Sequence, residues 1–123
     1  MKTASLLITV LMLFAAPTVM AKSWNFDCGN RQLDITPNNQ TYPLQADYKN
    51  ASATMKLVGD KDFERDNEGF LVDIFRLIDP TNYNFQVILQ YTETIGTKVW
   101  AQQIDAQTNQ SEDFQCTLKS FKK

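Results

Sequence analysis

The chain contains no histidine, and this absence excludes several kinds of catalytic centre at once. Ser–His–Asp and Cys–His arrangements need an imidazole base, and many zinc and iron sites need an imidazole ligand. The glycines are isolated from one another, so no glycine-rich loop is present to hold a phosphate group. A pair of carboxylates could still perform acid–base catalysis, but no segment indicates two carboxylates buried together. We therefore expect a protein that is not an enzyme and that binds neither a cofactor nor a metal.

Long hydrophobic runs are also lacking, except near the N-terminus. Residues 6–16 are apolar apart from one threonine, and Val19 and Ala21 supply the small residues that signal peptidase accepts at positions −3 and −1. A helix of this length would cross only about half of a hydrocarbon core, so a membrane anchor is disfavoured. We predict a cleaved signal peptide at residues 1–21 and a mature domain at residues 22–123 that does not insert into a membrane.

The sequence has little positive charge to offer an anionic partner. It contains 14 acidic and 12 basic residues, and all of the acidic ones follow the predicted signal. Nucleic acids and anionic lipids both require a clustered basic surface. Here the only basic cluster is Lys119, Lys122 and Lys123, which is typical of a solvated C-terminal tail. We therefore expect no nucleic-acid partner.

The only two cysteines, Cys28 and Cys116, lie near the two ends of the predicted mature chain. In an exported protein their default state is a disulfide, and two cysteines leave a single connectivity. Each cysteine alternates with polar residues in a strand-like pattern, so both are expected on the apolar side of neighbouring terminal strands. With no histidine and no third cysteine, a metal site or a reactive thiol is the weaker alternative.

Period-two alternation of apolar and polar residues dominates the mature chain, and turn-forming residues separate the alternating segments. One such segment is predicted to end at Gly59, and residues 105–112 form a polar loop. This pattern predicts a mainly β protein, an antiparallel meander of seven or eight strands that forms a sandwich or a small barrel.

Residues 70–79 depart from this pattern. Asp73, Arg76 and Asp79 are spaced by three, with apolar residues between them and Pro80 as a stop signal. This period favours a short helix, while the β-branched and aromatic content favours a strand buried on both faces. The helix is the preferred prediction.

The most distinctive segment is residues 60–69, where acids occupy every second position from Asp60 to Glu68. A calcium-binding EF-hand loop counted from Asp60 has Arg65 where glycine is needed and Leu71 where glutamate is needed; counting from Asp62 also fails. One alternative is a charged edge hairpin that prevents strand addition. The functional alternative is an acidic loop that binds a positively charged cleft, with Phe63 as the aromatic anchor. The predicted partner-binding residues are Asp60, Asp62, Phe63, Glu64, Arg65, Asp66 and Glu68.

Asn-x-Ser/Thr triplets begin at Asn39, Asn50 and Asn109, each in a predicted loop. They have meaning only if the host glycosylates them.

Several features together carry a resemblance to a known class. They are the bacterial-style signal ending at Ala21, residues 24–28 (WNFDC), residues 114–116 (FQC) and the β-rich interior. In architecture the chain resembles the small periplasmic inhibitors of Gram-negative bacteria: lysozyme inhibitors, and immunity proteins that neutralise cell-wall-degrading toxins of type VI secretion. The resemblance implies a periplasmic binding domain at residues 22–123. Its expected partner is a protein, a cell-wall hydrolase or toxin of the muramidase or lysozyme-like kind.

Two other functions remain open at this point. A small-ligand carrier would hold an apolar molecule inside a barrel lined by aromatic residues, namely Tyr42, Tyr48, Phe85, Tyr91 and Trp100. A structural subunit of a surface assembly would associate with itself, and a homodimer is an alternative of the same kind.

Overall fold

The computed structural model describes residues 22–38 and 41–123, which form a closed barrel of eight antiparallel strands. The predicted antiparallel meander is therefore confirmed, and of the two predicted architectures the barrel is the one formed. The predicted signal peptide and Asn39 lie outside the described residues. The strands are β1 (Ser23–Asp27), β2 (Gln32–Pro37), β3 (Leu44–Lys49), β4 (Thr54–Arg65), β5 (Leu71–Asp79), β6 (Asn82–Gln90), β7 (Lys98–Asp105) and β8 (Gln110–Lys122).

Each strand pairs with the next one along the chain, and β1 pairs with β8 to close the barrel. Because side chains alternate between the two faces of a strand, every second residue points into the interior. The interior is filled by aromatic and aliphatic side chains in mutual contact; the Trp24 and Phe75 rings, for example, are 4.9 Å apart. Its fully buried members include Phe26, Leu33, Tyr48, Leu57, Phe75, Leu77, Leu89 and Leu118.

The predicted disulfide is present between Cys28 and Cys116. Both cysteines are buried, and Phe26 pairs with Leu118 next to them, so the two terminal strands do lie together. This cross-link joins residues 88 positions apart and fixes the β1–β8 seam of the barrel. A disulfide here agrees with folding in an oxidising compartment. Within residues 22–38 and 41–123, no helix is long and apolar enough to cross a membrane.

The preferred prediction of a helix at residues 70–79 is wrong, because this segment is strand β5. Phe75 and Leu77 point into the barrel, whereas Ile74 is fully buried although it lies on the outer face. A strand covered on both faces loses the simple alternation that identifies strands in sequence. The polar residues in this segment have different causes. Asp73 lies on the ribbon beyond the core, and Arg76 lies on the outer face in an ion-pair cluster.

The prediction that a strand ends at Gly59 is also wrong, because β4 continues to Arg65. Gly59 is instead the point where β4 separates from β3, since Leu44–Gly59 is the last pair of that ladder. A Cβ atom added at Gly59 would lie 1.9 Å from the carbonyl oxygen of Arg76. Glycine is needed there because the β5 backbone approaches too closely for any side chain.

Candidate functional site

A two-stranded ribbon extends beyond the ladders of the barrel and forms the candidate site. The β3–β4 ladder ends at Gly59, and the β5–β6 ladder begins at Ile74, so residues 60–73 pair chiefly with each other. We call residues 60–73 the β4–β5 ribbon. All seven residues of the predicted partner-binding site belong to it. The hairpin that the sequence offered as one alternative, with its turn at residues 66–69, is the local structure of this segment.

The turn of the ribbon is held by hydrogen bonds that backbone N–H groups donate to the Asp66 side chain. The Asp66 carboxylate accepts bonds from the backbone N–H groups of Glu68 and Phe70, both at 2.9 Å. Gly69 adopts a φ of +88°, a conformation that favours glycine. The Arg65 guanidinium donates to the Gly69 carbonyl oxygen at 2.7 Å. Asp66 and Arg65 therefore shape the turn, a role that sequence analysis did not assign to them.

Large apolar side chains are concentrated on the ribbon. Phe63, Phe70 and Leu71 are 62%, 65% and 60% exposed. Within the described part of the chain, only Tyr83 and Ile95 are comparably exposed large hydrophobic residues, and Trp100 is exposed to 39%. Phe63 is thus outside this protein's core. Exposed apolar side chains grouped on one rigid element are typical of a surface that binds another molecule.

The acidic residues of the ribbon are partly neutralised from within. Asp60, Asp62 and Glu64 lie on the outer face, where Arg76 of β5 forms ion pairs with Asp62 at 2.8 Å and with Glu64 at 3.4 Å. The hydrogen bond from Arg76 and a second one from the Phe63 N–H lower the pKa of Asp62. Sequence analysis missed this cluster because Arg76 lies in the segment predicted to be helical. Negative charge available to a partner is therefore greater at Asp60 and Glu68 than at Asp62.

The ribbon also protects its free backbone edge. The β3–β4 ladder ends at Gly59, so beyond this residue the N–H groups of β4 on the β3 side need other acceptors. The Lys61 N–H donates to the Asp60 carboxylate at 2.6 Å, and the Phe63 N–H donates to Asp62 at 2.8 Å. Carboxylates at an edge discourage strand addition, above all by a second copy carrying the same charges.

The acidic side chains of the ribbon do not converge on one point. Side chains on successive residues of a strand point to opposite faces, so the alternating acids share a face but remain spread along it. Among residues 22–38 and 41–123, no group of three or more potential ligands is arranged to hold a metal ion.

The aromatic residues predicted to line a carrier pocket do not surround one cavity. Tyr48 and Phe85 lie together inside the barrel, with ring centroids 6.4 Å apart, and Tyr91 contacts Phe75. Trp100 instead lies on the outer face of β7, between the buried residues Val99 and Ala101. Tyr42 borders a separate surface groove.

The interior tyrosines are held by specific polar contacts. The Tyr48 hydroxyl donates to Gln103 at 2.7 Å, and burial raises the pKa of Tyr48. The Tyr91 hydroxyl donates to Glu93, which also pairs with Lys22 at 3.2 Å, and the Lys61 ammonium lies 4.2 Å from the centre of the Tyr91 ring. These contacts are those of side chains fixed in a packed core.

A surface groove of about 470 Å³ separates the tip of the ribbon from the outer face of the barrel. Its apolar part is formed by Val72, Ile74 and Trp100, and the acids Glu64, Asp66 and Asp113 line it as well. Sequence analysis missed this groove because it assigned Trp100 to the interior. The position of Trp100 among polar residues in the β7 alternation was the available signal.

No known protein family matches the chain, and neither curated proteins nor solved structures give a match.

Proposed function

We propose that this protein is an exported, periplasmic binding protein that inhibits a peptidoglycan-degrading enzyme, as an immunity protein or a lysozyme inhibitor. The supporting observation is the β4–β5 ribbon, which presents Phe63, Phe70 and Leu71 to solvent on a rigid hairpin. The base of this hairpin is paired into the barrel through the β3–β4 and β5–β6 ladders, so it loses less conformational entropy on binding than a free loop would. The protein acts by occupying the partner's cleft and performs no chemistry of its own.

Charge supports a cell-wall hydrolase as the partner. Peptidoglycan carries free carboxylates on its stem peptides, so a cleft that binds it benefits from positive potential. The β4–β5 ribbon contains six acidic residues and two basic ones, and it can therefore imitate the charge of that substrate. The acids would guide the encounter, and an apolar side chain in the cleft would slow dissociation.

The direct test is an activity assay with the mature protein. Added to muramidase-type enzymes, including any cell-wall hydrolase encoded beside it, the protein should abolish peptidoglycan hydrolysis near an equimolar ratio. Phe63→Ala should inhibit more weakly, and its matched control is Tyr83→Ala, which removes an aromatic residue that is 64% exposed outside the ribbon. If every such enzyme keeps full activity in excess protein, the proposal is wrong.

The roles of the acids can be separated by association kinetics. Asp60→Asn combined with Glu68→Gln should slow association and reduce its dependence on salt, because exposed charges act mainly on the encounter. Asp62→Asn should have a smaller effect, since Arg76 already pairs with that carboxylate. Equal effects of the two changes would contradict the charge distribution seen in the ribbon.

A further inference from the structure

The groove beside Trp100 is a second interaction surface, separate from the exposed side chain of Phe63. Phe63 pairs with Asp73 on the face of the ribbon that continues the barrel interior, whereas Val72 and Ile74 lie on the opposite, outer face. The groove lies between that outer face and strands β7 and β8. A ligand in the groove would contact Trp100 and Asp113, which a ligand held by Phe63 need not contact, although the tip residues Glu64 to Asp66 border the groove as well.

We propose that this groove binds an arginine side chain from an extended basic segment of a partner protein. Trp100 is 39% exposed and lines the groove together with Val72, while Ile74 is fully buried beneath them. A guanidinium group stacks on an indole ring more readily than other charged groups do, and its aliphatic stem can cover apolar side chains. An arginine side chain can therefore contact both the Trp100 ring and the apolar side chains beside it.

The charges that line the groove favour a cation. Three carboxylates, those of Glu64, Asp66 and Asp113, line the groove against one cation, Arg65, which is directed to the Gly69 carbonyl oxygen. Glu64 is already paired with Arg76, so Asp66 and Asp113 supply most of the negative charge. Asp113 has no ion-pair partner among residues 22–38 and 41–123. It lies opposite Gln102, so it is the diagonal neighbour of Trp100 on the outer face. Diagonal neighbours are about 7–8 Å apart, a distance that lets one guanidinium reach both the indole ring and the carboxylate.

The proposal does not require the partner to be a cell-wall enzyme, and its test uses no enzyme. The probe is a blocked tri-arginine peptide, titrated into the full mature protein and followed by fluorescence and by NMR shifts of the backbone. Of the two tryptophans, Trp24 is 4% exposed, so a change in emission reports mainly on Trp100. The matched peptide contains citrulline, which keeps the shape of arginine and removes its charge.

The arginine peptide should shift the signals of Trp100 and Asp113, and the citrulline peptide should not. Asp113→Asn and Trp100→Leu should each weaken binding by about threefold or more. The control Asp47→Asn makes the same change of charge on β3 and should leave binding unaltered. Raising the ionic strength from about 0.01 M to about 1 M should abolish most of the affinity.

Three results would overturn the proposal: equal binding of the two peptides, shifts located away from the groove, or unchanged affinity in Asp113→Asn. Tri-lysine should bind more weakly than tri-arginine, because an ammonium group does not stack on the ring as a plane. Equal affinity for the two basic peptides would contradict the assignment to arginine.

Discussion

Replacing Phe63 with alanine separates a binding residue from a residue that supports the fold. Phe63 is 62% exposed, so somewhat more than a third of its side chain is removed from water. Full burial of such a side chain is worth about 1.5–3 kcal/mol, and the partial burial here about 1 kcal/mol. Phe75 is fully buried, and Phe75→Ala should cost about 3–5 kcal/mol. The two variants therefore differ by several kcal/mol in their expected free energy of unfolding.

The assay measures urea unfolding and partner binding on the same preparations. Phe63→Ala should unfold almost like the parent and lose roughly 2 kcal/mol or more of binding free energy through faster dissociation. The equally exposed control Tyr83→Ala should change neither quantity. If Phe63→Ala destabilises the fold as much as Phe75→Ala does, the ribbon is part of the core and the reasoning fails. If its stability and its dissociation rate are both unchanged, Phe63 is not the anchor.

Three further predictions concern stability. Reducing the Cys28–Cys116 disulfide should lower the melting temperature, since closing a loop of 88 residues is worth about 4–5 kcal/mol in the chain-entropy model; free thiols titrated in the native protein would contradict this. Gly59→Ala should destabilise by about 1–3 kcal/mol or more, because the new Cβ would lie 1.9 Å from a β5 carbonyl oxygen, and an unchanged unfolding midpoint would refute the close approach. Asp62 and Glu93 have lowered pKa values, so the folded state binds fewer protons than the unfolded state. Their stabilising effect should be present above pH about 4.5 and be lost as the pH falls through their folded pKa values. Melting curves of Asp62→Asn and Glu93→Gln from about pH 2 to about pH 7 should show a weaker decline of stability in acid than the parent does.

The ribbon illustrates how far local sequence information reaches. The acidic alternation and Gly69 correctly indicated a charged hairpin with its turn near residues 66–69. They could not show that Asp66 hydrogen-bonds within the turn or that Arg76 neutralises two of the acids. Such partners depend on the register between β4 and β5, and register is fixed by the packing of both strands in the barrel.

Two of the wrong expectations, the helix at residues 70–79 and the interior position of Trp100, both concern the outer face of the barrel. Residues 70–79 match a helical period because Ile74 is buried on the outer face while Phe75 and Leu77 fill the interior. Trp100 was placed inside because large aromatic residues are usually buried, although its neighbours Val99 and Ala101 are the ones that point inward. In both cases an apolar side chain lies on the outer face of the barrel, where Ile74 is fully buried and Trp100 is 39% exposed, and the surroundings of that face are set by strands distant in sequence.

The sequence by itself determined the β class, the meander order and the single disulfide, because alternation and the pairing of two cysteines are properties of the chain alone. Only the tertiary structure decided between sandwich and barrel. That choice depends on whether β1 reaches β8 and on the shear of the whole sheet, to which all eight strands contribute. The same closure extends the β4–β5 ribbon beyond its neighbours and places Trp100 opposite its tip. The groove beside Trp100 thus follows from contacts between residues far apart in sequence, whereas the exposed side chains of the ribbon belong to a local hairpin.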